Sequence, residues 1–280
     1  MRVLITGANG YIGKHVVKEF LNNGDEVLVS DFSFKGIDER AIRMEEPIFT
    51  GDKEIFEKVG KPDVLVHLAW RDGFVHNSNA HMEDLSSHVV FLQNMIDGGL
   101  KYLSVMGSMH EVGYWEGAID ENTPCNPQSL YGISKNALRN SVELSCKLND
   151  VLFQWIRGFY IVGNSEKGAS IFSKITAASK ENKKEFPFTT GINQYDFIDY
   201  EPFCNQIANV CINNDVLGII NCCSGKPESL ASRVERFIIE NNYDIKLKYG
   251  AFPDRPYDSL AVWGDNSKIQ QIIELNRGNK

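Results

Sequence analysis

The sequence lacks the features that mark membrane chains and nucleic-acid-binding chains. Its residues are 42% hydrophobic and 24% charged, which is the composition of an ordinary globular protein. Lys and Arg number 29 against 37 Asp and Glu, so the formal net charge is -8. Because nucleic acid and anionic lipid attract basic surfaces, we expect neither nucleic acid nor a membrane among its partners.

Cysteine is absent before Cys125, and the six cysteines that follow are irregularly spaced. They show neither metal-ligand spacing nor a pairing pattern, so we expect reduced, partly buried thiols and no metal site. The first residues, Met1 to Ile5, enter an apolar segment without a basic start or a small-residue cleavage site. No secretion signal is visible, and we expect a cytoplasmic protein.

Short apolar runs alternate with helical stretches along the first 160 residues, a rhythm typical of a parallel sheet with crossover helices. The predicted strands are Val3–Ile5, Glu26–Val29, Val64–Leu68, Tyr102–Met106 and Leu152–Ile156. The predicted helices are Tyr11–Leu21, Ile55–Val59, Leu85–Ile96, Tyr131–Leu148, Ile171–Ala178 and Phe203–Ile212. We expect a turn near Pro187 between the last two helices.

The segment from Thr6 to Gly13 reads TGANGYIG and lies between the first predicted strand and the first predicted helix. Gly7 permits a tight turn, Gly10 lets the backbone approach a pyrophosphate, and Gly13 allows close packing of helix on strand. The helix N-terminus then offers free N–H groups to phosphates. An isolated glycine triplet can also be a simple turn.

Two carboxylates, Asp31 and Asp52, are candidates for contacts with the adenosine half of a dinucleotide. Asp31 ends the second strand, where it can accept hydrogen bonds from both adenosine ribose hydroxyls and repel a 2′-phosphate. We therefore expect NAD, with NADP still possible. Asp52 serves equally well as a helix N-cap or as a ligand for the adenine amino group. Leu68 and the small Ala69 end the next strand and let a dinucleotide pass close by.

Ser108 and the segment Tyr131-Gly132-Ile133-Ser134-Lys135 carry the strongest chemical signal. Tyr131 and Lys135 are four residues apart and share one face of a helix. A nearby ammonium favours phenolate, so we expect Lys135 to lower the pKa of Tyr131 from its usual value near 10. Ser108 can donate a hydrogen bond to the same substrate oxygen. This set suits proton transfer at a carbinol while a nicotinamide exchanges hydride.

These motifs occur in the order and spacing of the extended short-chain dehydrogenase/reductase family, which the whole chain resembles. The resemblance implies an NAD-dependent epimerase/dehydratase-type enzyme with catalytic Ser108, Tyr131 and Lys135. The residues that it implies for the cofactor are Gly7, Asn9, Gly10, Tyr11, Ile12, Gly13, Asp31, Asp52, Leu68, Ala69, Tyr131 and Lys135. For the substrate it implies Ser108, His110, Tyr160 and Arg255, although Tyr160 stands where the family usually has Asn.

The resemblance also implies the architecture. We expect an α/β fold with a doubly wound parallel Rossmann sheet in residues 1–163. A small mixed α/β unit in 164–280 would bind a nucleotide sugar, with some segments returning to the large sheet. Family members commonly pair through helices at 85–96 and 131–148, so we expect a homodimer.

The segment from Gly107 to Gly113 is similar to that of reductases of nucleotide-linked 4-keto-6-deoxysugars. We therefore expect NAD(P)H-dependent reduction of such a sugar with Tyr131 as the proton donor. The alternatives are a sugar 4-epimerase with tightly held NAD, a 4,6-dehydratase using His110 and Glu111, and a non-catalytic dinucleotide sensor. We expect His88 on a helix surface or interface, and we expect Trp70 to line the sugar or phosphate side of the cleft.

Overall fold

A computed structural model describes residues 1–163, 170–253 and 258–278. The strands in these ranges are β1 (Arg2–Thr6), β2 (Glu26–Ser30), β3 (Ile42–Arg43), β4 (Val64–His67), β5 (Tyr102–Ser108), β6 (Gly117–Ile119), β7 (Leu152–Gly158), β8 (Tyr160–Val162), β9 (Glu185–Pro187), β10 (Gln194–Asp199), β11 (Gly218–Cys222), β12 (Pro227–Ser229), β13 (Lys246–Lys248) and β14 (Ala261–Gly264). The helices are α1 (Gly13–Asn22), α2 (Ile55–Lys58), α3 (Ala80–Asp97), α4 (Leu130–Leu148), α5 (Ile171–Lys180), α6 (Tyr200–Ile212), α7 (Leu230–Glu240) and α8 (Ser267–Gly278), and a 3-10 turn spans Met109–Glu111.

The large sheet is parallel, and its described strands follow the order β11-β7-β5-β4-β1-β2-β3. The chain runs outward from β1 in one direction to β3 and in the other direction to β11. This reversal opens a crevice beyond the carboxyl ends of β1 and β4, where such sheets bind ligands. The expected Rossmann fold class is confirmed.

Apolar residues on both faces of the strands other than β3, whose two residues are exposed, hold this sheet between two layers of helices. Val3 and Ile5 pack in one cluster with residues of α1, α6 and α8. Leu4 points the other way and packs with residues of α3 and α4. Each fully buried side chain of this kind contributes about 1.5–3 kcal/mol. Strands buried on both faces explain the continuous apolar runs in the sequence.

A second, smaller sheet has the order β12-β10-β14-β6, and β8 also pairs with β10. The carboxylate of Asp196 on β10 joins three segments, because it accepts hydrogen bonds from the backbone N–H groups of Ser224, Gly225 and Gly264. Strand β11 lies in the second half of the chain and pairs with β7 of the large sheet. The domain boundary at residue 163 stays a prediction.

Three sequence expectations need correction at the element level. The segment Glu185–Pro187 is not a turn but strand β9, which pairs with β13. Helix α3 begins at Ala80, five residues before the expected Leu85, so its first turns bring His81 into the interior. Helix α1 begins at Gly13, since the residues before it form the glycine loop.

All six cysteines are free thiols, and five of them are buried. Across residues 1–163, 170–253 and 258–278, no helix is both long enough and apolar enough to cross a membrane. No cluster of candidate metal ligands occurs in the same ranges.

Candidate active site

A cavity of about 870 Å³ opens at the carboxyl edge of the large sheet. One end is lined by the glycine loop, and the other by residues of the smaller unit such as Phe172 and Tyr195. Ser108, Tyr131 and Lys135 line the same cavity. A ligand in this cavity would therefore touch both parts of the fold.

The glycine loop turns sharply at the end of β1. Gly7 has a φ of +67°, and a Cβ at this position would lie 2.7 Å from the backbone nitrogen of Ala69. No other residue fits such a backbone conformation and such a close approach. Gly10 lines the cavity, and a Cβ there would meet only the Gly7 carbonyl, at 3.0 Å. The loop thus presents bare backbone to the cavity, as a pyrophosphate site requires.

Helix α1 offers its N-terminus to the same region. Ile12 is its N-cap residue and provides no side-chain hydrogen bond to the first turn. The first N–H groups of the helix and its positive dipole end therefore remain available to an anion. Tyr11, Ile12 and Gly13 all line the cavity.

Asp31 lies beside the glycine loop, where its Oδ2 accepts a 2.8 Å hydrogen bond from the Asn9 backbone N–H. The buried Asn9 Oδ1 atom has no hydrogen-bond partner in the part of the chain that the structure describes. An unpaired buried acceptor beside a carboxylate suits a ligand with hydroxyl donors, such as a ribose. These residues fit the adenosine half of NAD.

Asp52, Leu68 and Ala69 differ in how they relate to the cavity. Leu68 lines it, whereas Ala69 packs against Gly7 and donates its backbone N–H to Thr6 Oγ1. Asp52 accepts from the Glu54 backbone N–H at 2.9 Å and forms an ion pair with Lys58 at 2.5 Å. Both Asp52 oxygens are engaged in these local contacts, and the N-cap residue of α2 is Glu54, so the expected N-cap role of Asp52 was wrong. Its role as a ligand for adenine stays a prediction.

The catalytic candidates come from two neighbouring elements. Ser108 ends β5 and is buried, and Tyr131 and Lys135 lie one helical turn apart at the start of α4. Ser129 caps this helix by accepting a hydrogen bond from the Gly132 N–H. The Lys135 ammonium donates to the Met106 carbonyl at 2.8 Å and lies 6.0 Å from the centre of the Tyr131 ring.

The pKa of Tyr131 differs from what the sequence predicts. Burial raises the pKa of Tyr131 to about 12, and the neighbouring Ser108 hydroxyl offsets only part of the shift. Burial also lowers the pKa of Lys135 to about 7, although the Glu111 carboxylate opposes this. The expected lowering of the Tyr131 pKa was wrong, because desolvation disfavours both the phenolate of Tyr131 and the ammonium of Lys135.

Five of the six histidines surround the catalytic residues, and they are His67, His76, His81, His88 and His110. Burial lowers the pKa of His88 and of His110 to about 3, and it also lowers the pKa values of His67 and His76. These four imidazoles are therefore neutral near pH 7. His76 and His81 were not among the expected site residues, and their only signal in the sequence is the density of histidine between residues 67 and 110.

His88 was expected on a helix surface or interface, and that expectation was wrong. Its side chain is 3% exposed, and its Nδ1 lies 2.9 Å from Nε2 of His67. His67 Nδ1 in turn lies 2.8 Å from Thr6 Oγ1. Trp70 stacks on His88 with ring centres 4.5 Å apart and lines the cavity.

His110 and Tyr160 line the cavity next to each other, with ring centres 6.1 Å apart. Their expected contact with a substrate stays a prediction. Arg255, the remaining substrate candidate, lies outside the described residues.

Glu111 is fully buried and forms an ion pair with Arg157, with Nε and Oε1 2.6 Å apart. It also accepts from the Trp155 indole N–H at 2.8 Å. Burial raises the pKa of this carboxyl even though Arg157 lowers it. These contacts tie the 3-10 turn to β7, so Glu111 is not placed to remove a proton from a substrate.

Comparison with known proteins identifies the family. The model of the NAD-dependent epimerase/dehydratase family matches residues 3–222. The chain belongs to this family. The chain is therefore an NAD-dependent enzyme, and the expected family and cofactor are confirmed.

Two curated relatives and one solved structure illustrate the similarity. The dTDP-6-deoxy-L-talose 4-dehydrogenase (NAD(+)) of Aggregatibacter actinomycetemcomitans is 44% identical over 271 residues, covering 94% of this chain and 99% of the relative. A UDP-glucose 4-epimerase of Lactobacillus helveticus is 28% identical over 60% of this chain and 54% of its own. The structure of UDP-glucose 4-epimerase from Thermotoga maritima superposes with a TM-score of 0.79 at 19% identity, over 100% of this chain and 99% of that one.

We predict that Lys135→Met flattens the pH dependence of stability above pH 7. The pKa of Lys135 is lowered from 10.5 to about 7, so between these values the unfolded chain binds a proton that the folded chain does not. Wild-type stability should therefore rise with pH, by at most about 1.4 kcal/mol per pH unit from this group. Urea unfolding at pH 7.0 to 8.5 measures the slope. The control variant Lys147→Met changes an exposed lysine of the same helix and should keep the wild-type slope of unfolding free energy against pH. A wild-type slope in Lys135→Met would contradict the prediction.

We predict that Glu111→Gln destabilises the fold by about 3–5 kcal/mol, because it leaves the buried Arg157 without its counter-charge. The matched control is Glu143→Gln, which removes a half-exposed partner of Arg139 and should cost less than about 1 kcal/mol. Urea unfolding compares the two variants. Similar small losses in both would show that the buried pair is not important for stability.

Proposed function

We propose that this enzyme interconverts the C4 alcohol and the C4 ketone of a dTDP-linked 6-deoxyhexose, with reduction of the 4-keto sugar by NADH as its working direction. The observation that carries the proposal is that Ser108, Tyr131 and Lys135 line the same cavity as the glycine loop. The 44% identical relative, named for dehydrogenation at C4 of dTDP-6-deoxy-L-talose, supports this sugar class.

The chain's residues take these roles in the proposed reaction. Tyr131 donates its phenolic proton to the C4 oxygen during reduction and accepts that proton during oxidation. Ser108 hydrogen-bonds the same oxygen and orients it. Lys135 provides a positive charge beside the phenol and holds the nicotinamide ribose. When bound, NADH would supply the hydride to C4 in the reduction, and NAD⁺ would accept it in the reverse reaction.

The positions of Glu111 and His110 do not support a 4,6-dehydratase. Elimination of water needs a further acid and base beside the tyrosine. Glu111 is committed to Arg157 and Trp155, and His110 is a neutral imidazole whose pKa is lowered to about 3. Simple hydride and proton exchange needs neither group.

A 4-epimerase with tightly held NAD is the second candidate, because it uses the same three residues and several relatives bear that name. The assay that separates the two functions supplies dTDP-6-deoxy-L-talose and NAD. A dehydrogenase forms NADH, seen by absorbance at 340 nm, in equal amount to the 4-keto sugar seen by NMR. A C4-epimerised sugar without free NADH would refute the proposal in favour of the epimerase.

We also propose a homodimer formed through α3 and α4. These helices expose apolar side chains, among them Val90 and Leu144, which are 42% and 57% exposed. Light scattering at micromolar concentration tests this, and a monomer would contradict it.

The free thiols and the acidic charge balance agree with a cytoplasmic enzyme that does not bind nucleic acid.

We predict that Tyr131→Phe lowers kcat by at least about a hundredfold, since general acid–base groups contribute about 10²–10⁴-fold. The affinity for NADH should stay nearly unchanged, because the ring is retained. Stopped assays and fluorescence titration of NADH measure the two quantities. Wild-type turnover in this variant would exclude Tyr131 as the acid.

We predict that the wild-type enzyme binds NADH more tightly than NADPH and that Asp31→Ser narrows this difference. The Asp31 carboxylate lies beside the glycine loop and would repel a 2′-phosphate, whereas serine carries no charge. Titration of both reduced dinucleotides by nicotinamide fluorescence gives the ratio of Kd values. A preference for NADPH in the wild type would overturn the role of Asp31.

A further inference from the structure

Trp70 follows Ala69 at the end of β4 and contacts the candidate catalytic lysine through its ring. The Lys135 Nζ atom lies 3.8 Å from the centre of the Trp70 ring. At this distance the ring face attracts a cation, and the attraction is strongest where water is excluded. The Lys135 side chain is 2% exposed, so the contact is desolvated.

Lys135 has little else to stabilise its charge. An ammonium carries three donors, and the Met106 carbonyl accepts one of them at 2.8 Å. Within the described residues, no carboxylate forms an ion pair with Lys135. Its titratable neighbours are Glu111 from the 3-10 turn, His67 from β4, His88 from α3 and Tyr131 from its own helix. Glu111 is already paired with Arg157.

Two histidines of α3 hold the indole in place. His88 stacks on the Trp70 ring at 4.5 Å. His81 Nδ1 accepts the indole N–H at 3.0 Å, and its Nε2 lies 3.0 Å from the Val75 carbonyl. A carbonyl only accepts and an indole N–H only donates, so His81 carries its proton on Nε2 and its lone pair on Nδ1. The orientation of the indole is therefore determined by directional contacts on both its edge and its face.

We propose that Trp70 is a positioning residue for Lys135: its indole face, held by His81 and His88, favours the charged form of the lysine over the neutral form and keeps the side chain in place beside Tyr131. Its importance for turnover rests on the proposed function, but the contact itself does not. Trp70, His81 and His88 act through Lys135 and take no part in the proton transfer.

The test measures the titration of Lys135 directly. Lysine labelled with ¹³C at Cε gives NMR signals that report the charge of each side chain, and the Lys135→Met variant assigns the signal of Lys135. The variants are Trp70→Leu, which removes the aromatic face, and Trp70→Phe, which keeps one. Trp115→Leu is the matched control, since Trp115 bonds the Ala118 carbonyl and does not contact Lys135.

Trp70→Leu should lower the pKa of Lys135 by about one and a half units, the shift that corresponds to a desolvated cation–π contact. Trp70→Phe should shift it less, and Trp115→Leu should leave it unchanged. A pKa in Trp70→Leu that is equal to or higher than the wild-type value would overturn the proposal. Circular dichroism confirms that each variant is folded.

A second measurement covers the case in which Trp70→Leu does not fold. Fluorinated tryptophan in place of the four tryptophans weakens the negative charge of the ring face and nearly preserves its shape. The pKa of Lys135 should then fall in the wild-type sequence but not in Trp70→Phe, where fluorine labels only the other three positions. An equal response in both proteins, or none in either, would exclude the role of Trp70.

The same variants separate the two proposals. If Trp70→Leu shifts the titration of Lys135 while the wild type fails to oxidise the dTDP sugar, the reaction assignment is wrong and the positioning role stands. If the wild type is active but the titration does not move, only the role of Trp70 is wrong.

Discussion

The exclusion of water from Lys135 is the constraint on which the site depends. Lys135 is 2% exposed, so its ammonium loses most of its hydration free energy. Either contacts within the protein replace that free energy, or the lysine releases its proton. Here a backbone carbonyl and an indole face lie against it, and the pKa falls to about 7. The lysine is therefore close to losing its charge near pH 7, and small changes around it have large effects on that charge.

The neutral histidines follow from the same exclusion of water. Charged imidazoles beside Lys135 would repel its ammonium, and burial lowers the pKa values of His67 and His88 so that they stay uncharged. Neutral imidazoles can then accept and donate hydrogen bonds, as in the chain from Thr6 through His67 to His88. The site therefore consists mainly of uncharged aromatic and imidazole side chains, and few charged side chains lie near the reacting groups.

The fold brings these groups together through two kinds of contact. Strands β1, β4 and β5 place Thr6, His67 and Ser108 at one edge of the large sheet. The loop after β4 then reaches the start of α4, where the His76 carbonyl accepts a hydrogen bond from the Tyr131 N–H and the His76 ring stacks on the Tyr131 ring. Asp196 on β10 connects the smaller sheet to the segment that follows β11, and it also binds the backbone N–H of Gly264 at the end of β14. The cavity lies between these parts.

The sequence by itself determined the fold class, the family and the cofactor, because glycines in a strand–loop–helix turn, Asp31 after β2 and a tyrosine and lysine four apart act through local geometry. Only the tertiary structure decided the pKa shifts of Tyr131 and Lys135, the burial of His88, the pairing of Glu111 with Arg157 and the contact of Trp70 with Lys135. Each of these depends on how much water is excluded by segments distant in sequence, and spacing along the chain carries no information about that. Desolvation is a property of the assembled site. Here it changed the pKa of Tyr131 more than the charge of Lys135, one helical turn away, did.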